Sequence, residues 1–216
     1  MLVSQAIEGR SSCRDFQAKK PARETMVRLM ELTIRAPSAI NLQPWQFTVV
    51  RDEEVARLSR QLQKAKTETG QGCAPDNLQP LAEKYVERKR QLSRGMGPLL
   101  EEAGVEAAGF IDQGSLNFYG APAVVVACLD RTFKPVRAFD VGLAVGWLLL
   151  AARELGLDTC PIGLIAAYQE PMKDFLNIAD NYEVLVAVAL GYGNPDSPLN
   201  RLRSPRAGLE EVVRWY

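Results

Sequence analysis

Five consecutive residues near the start of the chain, Arg10-Ser11-Ser12-Cys13-Arg14, put two guanidiniums and two hydroxyls directly after a short helical segment. Arginine forks match phosphate oxygens bidentately and serine hydroxyls add donors, so the set suits a phosphate. A solvated Arg/Ser helix end has the same composition. A second group lies in residues 36–47 (APSAINLQPWQF). Pro37 and Pro44 fix the backbone there, while Ser38, Asn41 and Gln43 offer polar groups to the edge of a flat heterocycle. Trp45 reads more readily as core than as an anchor. A third group, residues 160–164 (CPIGL), carries Gly163, which lets backbone approach a ligand closely enough for an N–H to meet a ring nitrogen. Read without context it is a loop before a helix. The fourth group, residues 201–206 (RLRSPR), supplies further cations for a phosphate, or a solvated basic tail.

Composition removes several other chemistries. The chain has no histidine, so Ser-His-Asp and Cys-His mechanisms are impossible within it. Cys13, Cys73, Cys128 and Cys160 include no CxxC, which argues against zinc or iron–sulfur, and no metal is expected. Lys+Arg and Asp+Glu are equal at 26 each, without the basic excess of a general nucleic-acid binder. The Gly191-Tyr192-Gly193 run follows an apolar strand, but Pro195 and Pro198 come next and the third glycine is absent. It is no dinucleotide fingerprint. The opening MLVSQAIEGR lacks a basic segment followed by an apolar run, and the apolar run 141–152 falls short of the roughly 20 residues a bilayer needs. A cytoplasmic protein with reduced thiols and no membrane partner is expected.

The elements that must position these groups read as one domain over residues 1–216. Helices are expected at 3–9, 23–35 and 53–65, and a β-branched, aromatic strand at 45–51 (WQFTVVR). Residues 70–80 are the most loop-like stretch; a charged helix at 81–94 is broken by Gly95, Gly97 and Pro98. Residues from about 66 to 113 read as an insertion on the core, either a lid or interface excursion or an ordinary surface one. Buried strands are expected at 123–129 (AVVVACL) and 183–190 (EVLVAVAL), with an apolar helix between them capped by Asp140 and stopped at Gly156. Pro171 opens a short helix. Residues 194–216 form an extended tail tipped by a strand, VVRWY. Strands separated by helices make an α/β or α+β protein.

In order and spacing, these groups together resemble the nitroreductase family. That family opens with an Arg/Ser/Arg phosphate pentapeptide, as at residues 10–14, and continues with an A-P-S-x-x-N-x-Q-P-W-x-F loop, as at 36–47. A hydrophobic interface helix, a P-x-G-type loop and a basic tail follow, matched here by the helix from Val141, by Pro161-Ile162-Gly163, and by Arg206 before residues 209–213 (LEEVV). Only residues from about 66 to 113 fall outside. The resemblance implies an α+β fold, a mixed and mostly antiparallel sheet flanked by helices in three layers, with two chains intertwined. It implies FMN in the homodimer interface. Arg10, Ser11, Ser12 and Arg14 hold its phosphate and ribityl end, with Arg206 and Arg203 as helpers. Pro37, Ser38, Ile40 and Asn41 line the ring from the partner, and Pro161, Ile162, Gly163 and Leu164 cover its face. NAD(P)H and a small electron-poor acceptor (a nitroaromatic, quinone or related compound) then react in turn, with the cations favouring a reduced, anionic flavin. No protein acid or base is assigned. Position 11 departs from the many relatives that carry a second Arg. No tyrosine has Glu four residues before it, which disfavours halotyrosine dehalogenation. An enoate-type or flavin-fragmenting enzyme of the same family, and a non-enzymatic flavin-binding dimer, stay open as rival readings.

Overall fold

Strand β2, Ala123–Asp130, is buried along nearly its whole length, so both its faces must be covered. A computed structural model of the chain, describing residues 1–70 and 79–216, shows how. Strands β1 (Trp45–Arg51), β2, β3 (Asp158–Ile162) and β4 (Tyr182–Gly191) form one sheet in the order β1-β2-β4-β3, each pairing antiparallel. Among the described residues the one parallel join is an isolated bridge from Ser12 to Thr159 on the free side of β3. The sheet is the mostly antiparallel one expected, and helices cover both faces.

Alternation along β2 divides the core. Val124, Val126 and Cys128 face a layer built from α3 (Glu53–Thr69), α5 (Phe110–Leu116) and α7 (Gln169–Leu176), with Phe118, Tyr168 and Met172 filling between them. Ala123, Val125, Ala127 and Leu129 face the other layer, where α2 (Arg23–Thr33) packs on α6 (Ala138–Glu154) through Met26, Leu29, Val141 and Leu148. Helix α1 (Val3–Gly9) lies against α6. Residues 135–154 are apolar and long enough to cross a membrane by length and composition, which the shorter run read from sequence is not. Yet one face of α6 is inside the core.

Several local expectations change. Asp140 is not the cap of α6; Arg137 holds that position, and the buried Asp140 carboxylate accepts from Arg137 Nη1 at 3.3 Å inside the first turn. There it still faces the positive end of the helix. Helix α3 continues one turn past residue 65, to a left-handed stop at Gly70. Helix α4 (Glu83–Glu102) does not break at Gly95, Gly97 and Pro98. Proline removes one bond to the carbonyl four residues back, but Arg94 and Pro98 are on the exposed side, which leaves that carbonyl open to solvent. Met96 and Leu100 on the opposite side pack with Leu199 and Leu202 of the C-terminal segment, and this packing outweighs the local breakers. Residues 160–162, read as the start of a loop, belong instead to β3 (Asp158–Ile162); its proline is tolerated because β3 is an edge strand. The tail has no terminal strand here. It carries one helical turn, α8 (Leu209–Val212), and Trp215 and Tyr216 stand exposed beyond it. The expected loop at 70–80 and Cys73 lie largely outside the described residues.

Candidate active site

Helix α1 ends at Gly9 and the chain turns extended at Arg10. It then runs beside β3: Ser12 bridges Thr159 and the Cys13 N–H donates to the Thr159 carbonyl at 2.9 Å. The phosphate-suited residues are thus pinned to the sheet edge. From the far end of the sequence Asn200 reaches the same place. Its Oδ1 accepts from the Arg14 N–H at 2.8 Å, and its Nδ2 donates to the carbonyls of Asp15 (2.7 Å) and Asn194 (3.0 Å).

The result is a cleft of about 110 Å³ lined by Arg10, Ser11, Ser12, Arg14, Arg203 and Arg206, with Leu92 of α4 and Leu202 closing its apolar side. All six phosphate candidates from the two ends of the chain meet there. Arg203 donates to the carbonyls of Asn200 and Leu202, and Arg206 to Ser204 and Pro205. Among the described residues none of the four guanidiniums forms an ion pair. The Arg14 Nε is buried with no hydrogen-bond partner. Arg10 is held below the usual arginine range, first by burial and then by the neighbouring Arg206. An orphaned buried donor, four unpaired guanidiniums and two serines fit a phosphomonoester, which brings about two negative charges.

The P-x-G group lies further along the same edge strand: β3 meets the Arg/Ser segment at Thr159 and ends at Ile162, and residues 161–164 do not line the cleft itself. Ile162 is buried, its side chain in the core, so only its backbone is free to face a ligand. Pro161 and Leu164 are half-buried; Gly163 is exposed, and the space a Cβ would take there is open. Beneath the cleft lies Cys160. Burial pushes its thiol up, while Arg14, a hydrogen bond from Ser12 and Arg10 pull it down.

Residues 37–41 do not join the others within one chain. They precede β1, the edge of the sheet opposite β3, so three strand spacings, about 14 Å, separate the two edges. Their loop is held in an unusual shape. Ile40 (φ 43°), Asn41 (φ 60°) and Gln43 (φ 49°) are all left-handed, and Ile40 is 90% exposed. A β-branched residue in that region is strained. Ser38 maintains it: its carbonyl accepts from Asn41 N–H at 3.1 Å and its Oγ from Gln43 N–H at 3.0 Å. Asn41 Oδ1 in turn accepts from Gln43 Nε2 at 3.2 Å. Pro37 is exposed beside them.

Two contributors carried no signal in the sequence. Asn200 acts through backbone contacts made only in the fold. Tyr119, in the run Phe118-Tyr119-Gly120, lies beside Arg14 with its ring centroid 6.0 Å from the guanidinium carbon.

Fold and cleft together define a class: an α+β protein with a cleft of four arginines and two serines at one edge of its sheet. The model of the nitroreductase family matches residues 7–192. A 4-nitrobenzoate reductase of Pseudomonas putida is 31% identical over 202 residues, covering 93% of this chain and 89% of that one. A solved FMN-dependent nitroreductase, NfnB from Mycobacterium smegmatis in complex with NADPH, superposes with a TM-score of 0.87 at 29% identity, covering 99% of this chain and 97% of the other. A second, the FMN and NADPH-dependent nitroreductase NfnB from Sphigopyxis sp. strain HMH, gives a TM-score of 0.90 at 26% identity over 100% and 99%. The chain belongs to the nitroreductase family.

Proposed function

We propose that the chain is an FMN-dependent oxidoreductase that passes electrons from NAD(P)H to nitroaromatics, quinones or related electron-poor acceptors. The observation that carries this reading is the cleft of four unpaired guanidiniums and two serines at the sheet edge, with the open backbone of Gly163 at the end of the same edge strand. The relatives named above, FMN-dependent and NADPH-complexed among them, support it.

Bound FMN would supply a ring that takes hydride from NAD(P)H and returns electrons to the acceptor. The residues of this chain bind and orient it. Arg10, Ser11, Ser12, Arg14, Arg203 and Arg206 hold the phosphate and ribityl end. Backbone at Pro161, Ile162, Gly163 and Leu164 faces the ring. With no histidine in the chain, orientation and charge carry the reaction, and the guanidiniums favour negative charge on the ligand.

Pro37, Ser38, Ile40 and Asn41 complete the site from a second copy of the chain, because within one chain they sit at the opposite sheet edge. The outer face of α6 leaves Phe139 and Trp147 exposed, an apolar strip suited to a self-complementary homodimer contact. Cys13, Cys128 and Cys160 are free thiols, in keeping with the reducing cytoplasm.

The test is an anaerobic visible spectrum of the purified protein, before and after NADH and then NADPH. A yellow protein that bleaches identifies a flavin reductase and its donor, and an acceptor screen follows. A colourless protein that takes up no added FMN overturns the proposal.

A further inference from the structure

Arg14 stands at the junction of two clefts. It lines the basic cleft and also a neighbouring one of about 410 Å³, walled by Phe110, Gln113, Asn117 and Tyr119. Its own segment holds its side chain loosely: one long hydrogen bond, from Nη1 to the Ser12 carbonyl at 3.4 Å. Its buried Nε has no partner.

Tyr119, by contrast, is tightly fixed. Phe118 and Tyr119 are both left-handed at φ 54°, a conformation that bulky residues hold only where the surroundings impose it. The Tyr119 N–H donates to Asn117 Oδ1 at 2.9 Å. The Phe110 ring packs on its ring with centroids 5.8 Å apart. On the other side, Gly114 approaches so closely that a Cβ there would come within 2.1 Å of the Tyr119 ring. Burial pushes the half-buried phenol up, while the charge of Arg14 and hydrogen bonding with the Arg14 and Ser115 side chains pull it down; the guanidinium carbon stands 6.0 Å from the ring centroid.

We propose that Tyr119 is a positioning residue: it holds the Arg14 guanidinium at the mouth between the two clefts, aimed at the ligand of the basic cleft. The inference rests on the reading of that cleft as an FMN site. Its physical basis is preorganisation. A free arginine loses rotamer freedom on meeting an anion, and a fixed phenol that orients it beforehand removes that cost from binding.

A double-mutant cycle tests it. FMN dissociation constants, from quenching of flavin fluorescence, and flavin midpoint potentials are measured for the wild type, Tyr119→Phe, Arg14→Ala and the double variant. Phenylalanine keeps the ring against Gly114 and Phe110 and removes only the phenol oxygen. Tyr119→Phe is expected to raise the dissociation constant about tenfold, the effect of losing a hydrogen bond to a charged group, and to move the potential negative. In the Arg14→Ala background the same change is expected to alter the constant less than about twofold and leave the potential in place. Equal fold-losses in both backgrounds, or no loss in Tyr119→Phe alone, overturn the inference. A wild type that binds no FMN overturns the functional reading instead, so the two failures are distinct.

Discussion

Ser12 and Thr159 form a parallel bridge, and through it the arginine-serine segment becomes a minimal extra strand on the edge of the sheet. That join, with the Arg14–Asn200 hydrogen bond across 186 residues, turns two weak sequence signals into one cleft. Four cations held together with no carboxylate among them are unfavourable until an anion arrives, so ligand binding and the stability of this edge are coupled.

The Arg10→Ala, Arg14→Ala double variant is therefore expected to lose bound FMN while staying folded. Each charge-assisted bond to the phosphate contributes about 1.5–3 kcal/mol. Flavin content after gel filtration, alongside circular dichroism, checks this; full flavin content in the variant would place the phosphate elsewhere.

The tail carrying Arg203 and Arg206 is seated by Leu199 and Leu202 on Met96 and Leu100 of α4. Leu202→Ala is expected to weaken FMN binding severalfold by loosening that seat. Leu148→Ala, in the centre of α6 against the sheet, is expected to cost about 2–5 kcal/mol of stability without changing FMN affinity in the protein that remains folded. Urea unfolding and FMN titration of both variants separate the effects; identical FMN affinity in Leu202→Ala and wild type would remove α4 and the tail from the site.

Burial pushes the Cys13 thiol up to about 12 and that of Cys128 to about 11, from an ordinary value near 9. Above pH 9 the unfolded chain loses these protons while the folded protein keeps them. The unfolded state then binds fewer protons, so stability is fully present below pH 9 and falls as pH rises toward about 11–12. Cys128→Ala should make the decline between pH 9 and about 11 shallower in urea-unfolding series; an unchanged slope would contradict the assignment. In a Cys73→Ser background, the three buried thiols should resist a thiol reagent at neutral pH until denaturant is added.

Trp147 is 45% exposed on α6, in line with Phe139. If this face joins two chains, Trp147→Lys should release folded monomers that bind FMN poorly, because the partner's Ser38 and Asn41 are lost with it. Sedimentation velocity with and without FMN reads the outcome. A stable dimer with full flavin content would place the interface on another face.

Sequence alone determined the parts whose signal is local. The Arg/Ser pentapeptide and basic tail offer groups suited to a phosphate through residue type. Strands at 123–129 and 183–190 announce themselves by apolar runs, and Gly156 marks a helix end because a left-handed residue suits glycine. What depends on neighbours distant in sequence was not legible. Residues 158–162 become a strand because β4 offers an edge and the proline's missing N–H can face away from it. Helix α4 runs through two glycines and a proline because Leu199 and Leu202 wait on its other side. Tyr119 and Asn200 carry no motif, and their roles exist only because the fold lays them beside Arg14. The sequence determined which groups could meet a phosphate; tertiary structure decided that they converge and that residues 37–41 stand apart. Side-chain chemistry is a property of each residue, whereas convergence depends on sheet order, which is set by contacts between segments far apart in the chain.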